Sequence, residues 1–159
     1  MKHAAKKYVE FVVMQRLQSK ELAPNFLTLS LYSMLNQISQ SKQFRDRLAI
    51  VSFFQTELEN RNRTLSDEVI ETKANLSFQV FENIVHQLGL DFSIFATKEN
   101  LINYRLVEKR NHIAHGEYVE ESLEDIYSLV DVVINMMNTF KNQIQNAAIE
   151  KDYKSEKYR

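Results

Sequence analysis

Apolar residues recur along this chain at intervals of three and four, the spacing that gathers them on one face of an α-helix. Tyr8, Phe11, Val12 and Leu17 predict a first amphipathic helix. It ends before Pro24, because proline disfavours helical geometry in the residue ahead of it. A second apolar stretch runs from Phe26 to Ile38, and Phe44, Leu48, Val51 and Phe54 or Gln55 continue the spacing. The polar run Asn60-Arg61-Asn62-Arg63-Thr64 interrupts it and reads as an exposed loop or linker. Leu76, Val80, Phe81, Ile84 and Leu88 form the next stripe, with Gly89 at the helix C-cap. Thr97 is placed to cap a following helix in which Leu101, Ile102, Tyr104 or Arg105, and Val107 or Glu108 lead to a stop at Gly116. Ser122 and Asp125 make a capping-box variant for the last helix, with Glu121, Glu124 and Asp125 at the positive end of its dipole. Leu123, Ile126, Val130, Val133, Ile134, Met137, Phe140 and Ile144 then predict one long core-spanning helix. Residues 148–159 are rich in charge, with Tyr153 and Tyr158 as their aromatic bodies, and are expected to form a disordered tail.

Two glycines and one proline leave little with which to build hairpins, so the fold class expected is all-α, a helical bundle of about five or six helices. The 159 residues suit a single domain, expected over residues 1–147. Without cysteine the chain has neither a disulfide framework nor a thiolate metal site. Its basic amino terminus is interrupted by Glu10, Gln15 and Arg16 and so lacks the unbroken apolar core of a signal peptide. No stretch approaches the roughly 18 apolar residues of a membrane span. The expected location is therefore cytoplasmic, with no membrane partner. A net charge of −1 argues against a general polyanion binder and restricts any nucleic-acid contact to a local patch.

Chemistry concentrates in the stretch KRNHIAHGEY, residues 109–118. An imidazole with a pKa of about 6.5 exchanges protons at neutral pH, and a guanidinium binds phosphate oxygens without losing its charge. Together, Arg110 and His115 suit RNA cleavage by attack of the ribose 2′-hydroxyl on the adjacent phosphate, with Asn111 orienting the histidine or donating to a phosphate. Asn111 and His115 share a helix face, whereas Arg110 and His115 stand about 140° apart at roughly 100° per residue. They converge only if the helix bends or ends near Gly116, or if a second copy of the chain completes the site. Plainer roles compete: an arginine capping carbonyls, a histidine favoured by the helix dipole, an asparagine on a solvated face. Glu108, His112 and His115 have the intervals of metal ligands on a helix but not the two-histidine, four-apart pattern of zinc hydrolases, so no metal or cofactor is expected. His112 is expected to face solvent or line the cleft. The acids Glu117, Glu120, Glu121, Glu124 and Asp125 serve as cap and dipole partners, repel RNA from one side, or face a basic partner.

The segment LVEKRNHIAHGE resembles the signature of HEPN domains, in which an arginine and a polar residue, usually asparagine, precede a histidine; Arg110, Asn111 and His115 match it. The surrounding NLSFQVFENIVHQLGLDFSIFATKENLINYRLVEKRNHIAHGE is similar to the MAE-type branch of HEPN-like nucleases, a likeness extending from Tyr8 to Ile144 and strongest over 75–135. Members of that branch tend to begin with an additional helical segment that this chain is expected to lack. Some HEPN toxins carry a tyrosine two residues after the histidine, where this chain has Glu117 and then Tyr118. The resemblance implies a HEPN-like bundle with metal-independent endoribonuclease activity at a site shared across a homodimer, in a toxin–antitoxin or antiphage setting. It assigns catalysis to Arg110, Asn111 and His115, with Lys109, His112 and Arg105 contacting substrate. RNA, a second copy of the chain, and an antitoxin or nucleotidyltransferase are the expected partners. The alternatives are a catalytically idle HEPN module that binds RNA, nucleotide or a protein, and a purely structural partner.

Overall fold

The first helix shows how the bundle is built. In α1 (Lys2–Met14), Ala5, Tyr8, Val9 and Val12 fall on one side and are buried. The computed structural model describes residues 1–41, 43–70, 76–116 and 122–158, and of Arg110 the backbone alone. Pro24 opens α2 (Pro24–Ser30) at its first position, where its missing N–H costs nothing. Leu31 alone separates α2 from α3 (Tyr32–Gln40), and α4 (Phe44–Thr56) follows. Ser77 caps α5 (Phe78–Gln87) by accepting the Val80 N–H at 3.3 Å. Gly89, at φ +69°, ends it; a Cβ there would lie 3.0 Å from Asn25 Nδ2, which itself donates to the Gln87 carbonyl. A 3-10 stretch (Ser93–Lys98) leads to a π-helix (Leu101–Glu108), which runs directly into α6 (Lys109–Ala114). The chain ends with α7 (Leu123–Glu150) and a short 3-10 turn.

The fold is all-α: among the described residues there is no strand, only the isolated bridges Gln18–Arg61 and Leu22–Lys154. If α2 with α3, and the π-helix with α6, are each taken as one rod, the described elements agree with a bundle of about five or six helices. The core is strongly aromatic. Phe81 meets Phe95, Phe140 and Phe92 at centroid distances of 4.9, 5.7 and 6.3 Å, and Tyr8 meets Phe26 edge-on at 5.6 Å. No helix among the described residues is long and apolar enough to cross a membrane.

Four expectations are corrected. In α4 the stripe Phe44, Leu48, Val51 and Phe54 faces outward, Phe44 being 77% exposed, while Phe53 is the buried residue. The α3–α4 hairpin has few buried anchors, since α3 contributes no buried residue at all. The long helix α7 does not span the core along its whole length. Only Met136, Phe140 and Ala147 are buried; Leu123, Ile126, Val130, Ile134 and Met137 are exposed and Val133 is half-buried. Length explains this: at about 1.5 Å per residue the 28 residues of α7 reach about 42 Å, against about 20 Å for the 13 residues of its neighbour α1. The charged tail is ordered. Lys151 (φ 62°) turns the chain back, the Ala23 N–H donates to the Tyr153 carbonyl at 2.8 Å, and the Ser155 N–H donates to the Glu21 carbonyl at 2.9 Å. The buried Tyr153 ring lies edge-on to Phe11 at 5.7 Å, so a tyrosine set among charges is what docks the tail. In addition, Thr97 lies inside the 3-10 stretch and not at a helix cap.

Docking of the tail has a measurable consequence. Tyr153→Ala should lower unfolding free energy by about 3 kcal/mol, as loss of a buried aromatic ring does, seen as a lower urea midpoint with an unchanged slope. An unchanged midpoint would mean that the tail contributes nothing to the fold.

Candidate functional site

The π-helix sets up the site. Leu101 and Ile102 recur as Leu106 and Val107 five residues later, the interval of an i→i+5 helix, and all four lie in or against the core. That interval explains why a three- and four-residue reading leaves alternatives at Tyr104 or Arg105 and at Val107 or Glu108. The Asn103 side-chain oxygen accepts the Phe78 N–H at 2.9 Å and so ties this helix to the start of α5.

Downstream, α6 ends where the chemistry needs it to. The His115 N–H is shared between the carbonyls of Asn111 (3.0 Å) and His112 (3.2 Å), and the Gly116 N–H reaches the Ile113 carbonyl at 3.1 Å. His115 is the C-cap, with φ −90° and ψ 5°, and Gly116 turns the chain away at φ +76°. The helix thus stops at the histidine, one of the conditions under which Arg110 and His115 can approach.

Asn111, His112 and His115 line one cleft of about 430 Å³, with Tyr104 and Glu108 beside them and Asn103 and Val107 completing the wall. His112 Nε2 stands 3.8 Å from Glu108 Oε1, a pair one helical turn apart that becomes ionic when the imidazole is protonated. The His115 ring is exposed, and Tyr104 is 61% exposed. Arg105 and Lys109 are half-buried and do not line the cleft. The Arg110 side chain lies outside what is described, as do Glu117, Tyr118, Glu120 and Glu121. Of the acid cluster, Asp125 is a cap residue: its N–H donates to Ser122 Oγ at 3.1 Å and its carboxylate accepts from the same hydroxyl. Among the described residues no three histidine or carboxylate groups stand together as a metal site, so Glu108, His112 and His115 are not gathered as ligands.

The cleft offers an imidazole for proton transfer, an amide to orient groups, and an exposed phenol ring on which a base can stack. Asn103 and Tyr104 do not stand out in the sequence as site residues. Their signal was available: Tyr104, Glu108, Asn111 or His112, and His115 continue one polar stripe back from the motif at intervals of three and four. A family model described as RiboL-PSP-HEPN matches residues 1–146, a span that contains every residue of this cleft. No curated protein and no solved structure matches the chain.

Gly116 permits a direct test of this geometry. Among the described residues nothing lies within 4 Å of a Cβ built there, so Gly116→Ala is expected to meet the backbone cost of a left-handed residue, about 1 kcal/mol. A loss of that size in thermal or urea unfolding is expected, and no loss would place the end of α6 elsewhere.

Proposed function

The chain belongs to the RiboL-PSP-HEPN family, and from that premise we propose that it is a metal-independent endoribonuclease whose active site is completed by a second copy of itself. The observation that carries this reading is the cleft that Asn111, His112 and His115 share at the end of α6. His115, at the exposed helix end, acts as general base on the 2′-hydroxyl or as general acid on the leaving 5′-oxygen. Arg110 stabilises the charge that builds on the phosphoryl oxygens, and Asn111 holds one of the two in register. Tyr104 stacks on a base next to the scissile phosphate, as aromatic rings do with single-stranded RNA. Lys109, His112 and Arg105 contribute charge along the strand. Cleavage of this kind leaves a 2′,3′-cyclic phosphate and a 5′-hydroxyl, and it spares DNA, which lacks the attacking group.

The second copy is supported by α7. Leu123, Ile126, Val130, Val133 and Met137 follow one another at intervals of three and four, the a and d spacing of a two-helix seam. Four of the five are exposed and Val133 is half-buried, so the seam is unfilled within one chain. Pairing two such helices brings a partner against the helix that follows the motif. A toxin or defence nuclease in the cytoplasm, restrained by an antitoxin or a modifying partner, is the biological setting that goes with this activity.

Incubation with a mixed RNA pool in EDTA should give fragments with cyclic-phosphate ends. His115→Ala and Arg110→Ala should each slow cleavage about a hundredfold or more, and His112→Ala much less. Abolition by EDTA, or equal damage from His112→Ala, would sink the metal-independent mechanism. A pure dimer that binds but never cleaves RNA would leave the idle module as the function.

Val130→Asp addresses the seam separately. Placed on an exposed position of α7, the carboxylate should leave the protomer folded but convert the dimer to monomer in light scattering and remove most of the activity. A wild-type protein that is monomeric at tens of micromolar would count against the shared site.

A further inference from the structure

The loop Asn60–Thr64 is held rigidly by the chain that precedes α2. Ser19 N–H donates to the Asn60 carbonyl at 3.0 Å, Lys20 N–H to the Leu58 carbonyl at 3.0 Å, and Asn62 N–H to the Leu17 carbonyl at 2.9 Å. The Asn62 side chain is fully engaged, donating to Ser19 Oγ at 3.1 Å and accepting the Leu65 N–H at 2.9 Å. On either side of this anchored residue stand Arg61 and Arg63. Both are exposed, and among the described residues neither guanidinium has an ion-pair or hydrogen-bond partner. The nearby acid Glu59 is engaged instead by Lys20.

Two clefts flank the loop, and both arginines line both of them. The larger, of about 570 Å³, contains the carboxylate of Glu57, which accepts from Asn60 Nδ2 at 3.0 Å and opposes an anion there. The smaller, of about 320 Å³, has no carboxylate in its lining, and its other wall is apolar: Val13, Leu17, Leu22 and Leu65. Two exposed, unneutralised guanidinium groups carried on an anchored backbone beside an apolar wall, in a cleft of this size, suit a ligand with a phosphate at one end and a flat, weakly polar body at the other. A bare anion would leave the apolar wall unused, and an apolar ligand would leave the arginines unused.

We propose that this cleft binds a nucleoside phosphate, with Arg61 and Arg63 on the phosphate and the nucleoside body against Val13, Leu17, Leu22 and Leu65. The ligand is either a free nucleotide or one unit of an RNA strand, which share this chemistry. None of these residues lines the cleft of Asn111, His112 and His115, so the site stands whether or not the protein cleaves RNA.

The test measures binding of AMP by calorimetry and of a short labelled oligoribonucleotide by anisotropy, in a His115→Ala background that keeps the RNA intact. Inorganic phosphate serves as the bare-anion control. Arg61→Gln with Arg63→Gln should weaken binding about a hundredfold at unchanged melting temperature, since two charge-assisted contacts are lost. Loss seen with AMP assigns the site to a free nucleotide, and loss confined to the oligoribonucleotide assigns it to a strand. Val13→Trp, made at a rim residue 40% exposed, should fill the apolar wall and weaken AMP or RNA but not inorganic phosphate. The proposal is overturned if the native cleft binds neither nucleotide probe, if the double variant binds both as the parent does, or if Val13→Trp affects phosphate and nucleotide alike. Failure of cleavage with AMP or RNA binding intact at Arg61 and Arg63 would overturn the nuclease reading and leave this one standing.

Discussion

Phe81 is the residue on which the rest of the structure depends. Fully buried in α5, it joins the aromatic residues of the turn after α5 (Phe92, Phe95) to Phe140 of α7. A ring in this position fixes three segments at once, because each edge-on contact adds orientation to the area it buries. The start of the same helix receives the Asn103 side chain from the π-helix, so the wall of the candidate cleft is referenced to α5 by a hydrogen bond about one turn from the core ring. The cleft is thus tied to the aromatic core even though its histidine sits at the end of a short helix. The short helix also accounts for the site's openness: the six residues of α6 lead through His115 to a glycine that no side chain among the described residues covers.

What the core does not cover is as informative as what it does. A protomer that leaves Leu123, Ile126, Val130, Ile134 and Met137 exposed along one helix, and Phe44, Leu48, Val51 and Phe54 along another, has apolar surface of a kind that isolated proteins seldom keep contiguous. In α7 Leu123, Ile126, Val130 and Ile134 all precede the first buried residue, Met136, so the amino-terminal half of the rod is open surface while the buried residues lie in the other half. That division places the open end next in the chain to the motif, which is why pairing through α7 and completion of the cleft are physically one question.

Local chemistry was legible in the sequence, and sidedness was not. Gly89, Gly116 and Ser122 sit where their caps were expected, because a cap depends on a few neighbouring backbone groups and on residues able to adopt the needed φ or accept an N–H. Spacing gives α4 an apolar stripe and predicts a core-spanning α7, and the structure turns most of both outward. Three- and four-residue spacing establishes that a helix has an apolar face but not what covers it, and the buried Phe53 lies opposite the stripe that periodicity selects. Tyr153 went unrecognised as an anchor because its neighbours are charged, and charge density outweighs one aromatic ring in any compositional reading. The π-helix escaped for a different reason: its five-residue interval blurs into alternatives when counted in threes and fours. Within the site, the motif residues Asn111, His112 and His115 do meet in one cleft, whereas Arg105 and Lys109 do not join them, since neighbours in sequence on a helix point to different sides.

The charge distribution completes the physical picture. A chain with a net charge of −1 has no field strong enough to draw in nucleic acid from a distance, so the recognition proposed for it would rest on short-range groups held on an ordered frame. The molecule meets that requirement where its backbone is tied down. The Arg61–Arg63 loop is held by backbone bonds to residues 17–20, and the cleft at α6 by the bond from Asn103 to α5. In both places polar groups are exposed on an already ordered backbone, so binding there orders side chains and not the chain that carries them. His115 likewise has its backbone fixed by its cap and its ring open to solvent. The proton transfer proposed for His115 needs dry, fixed surroundings to be effective, and a second body laid against the ring would supply the missing wall.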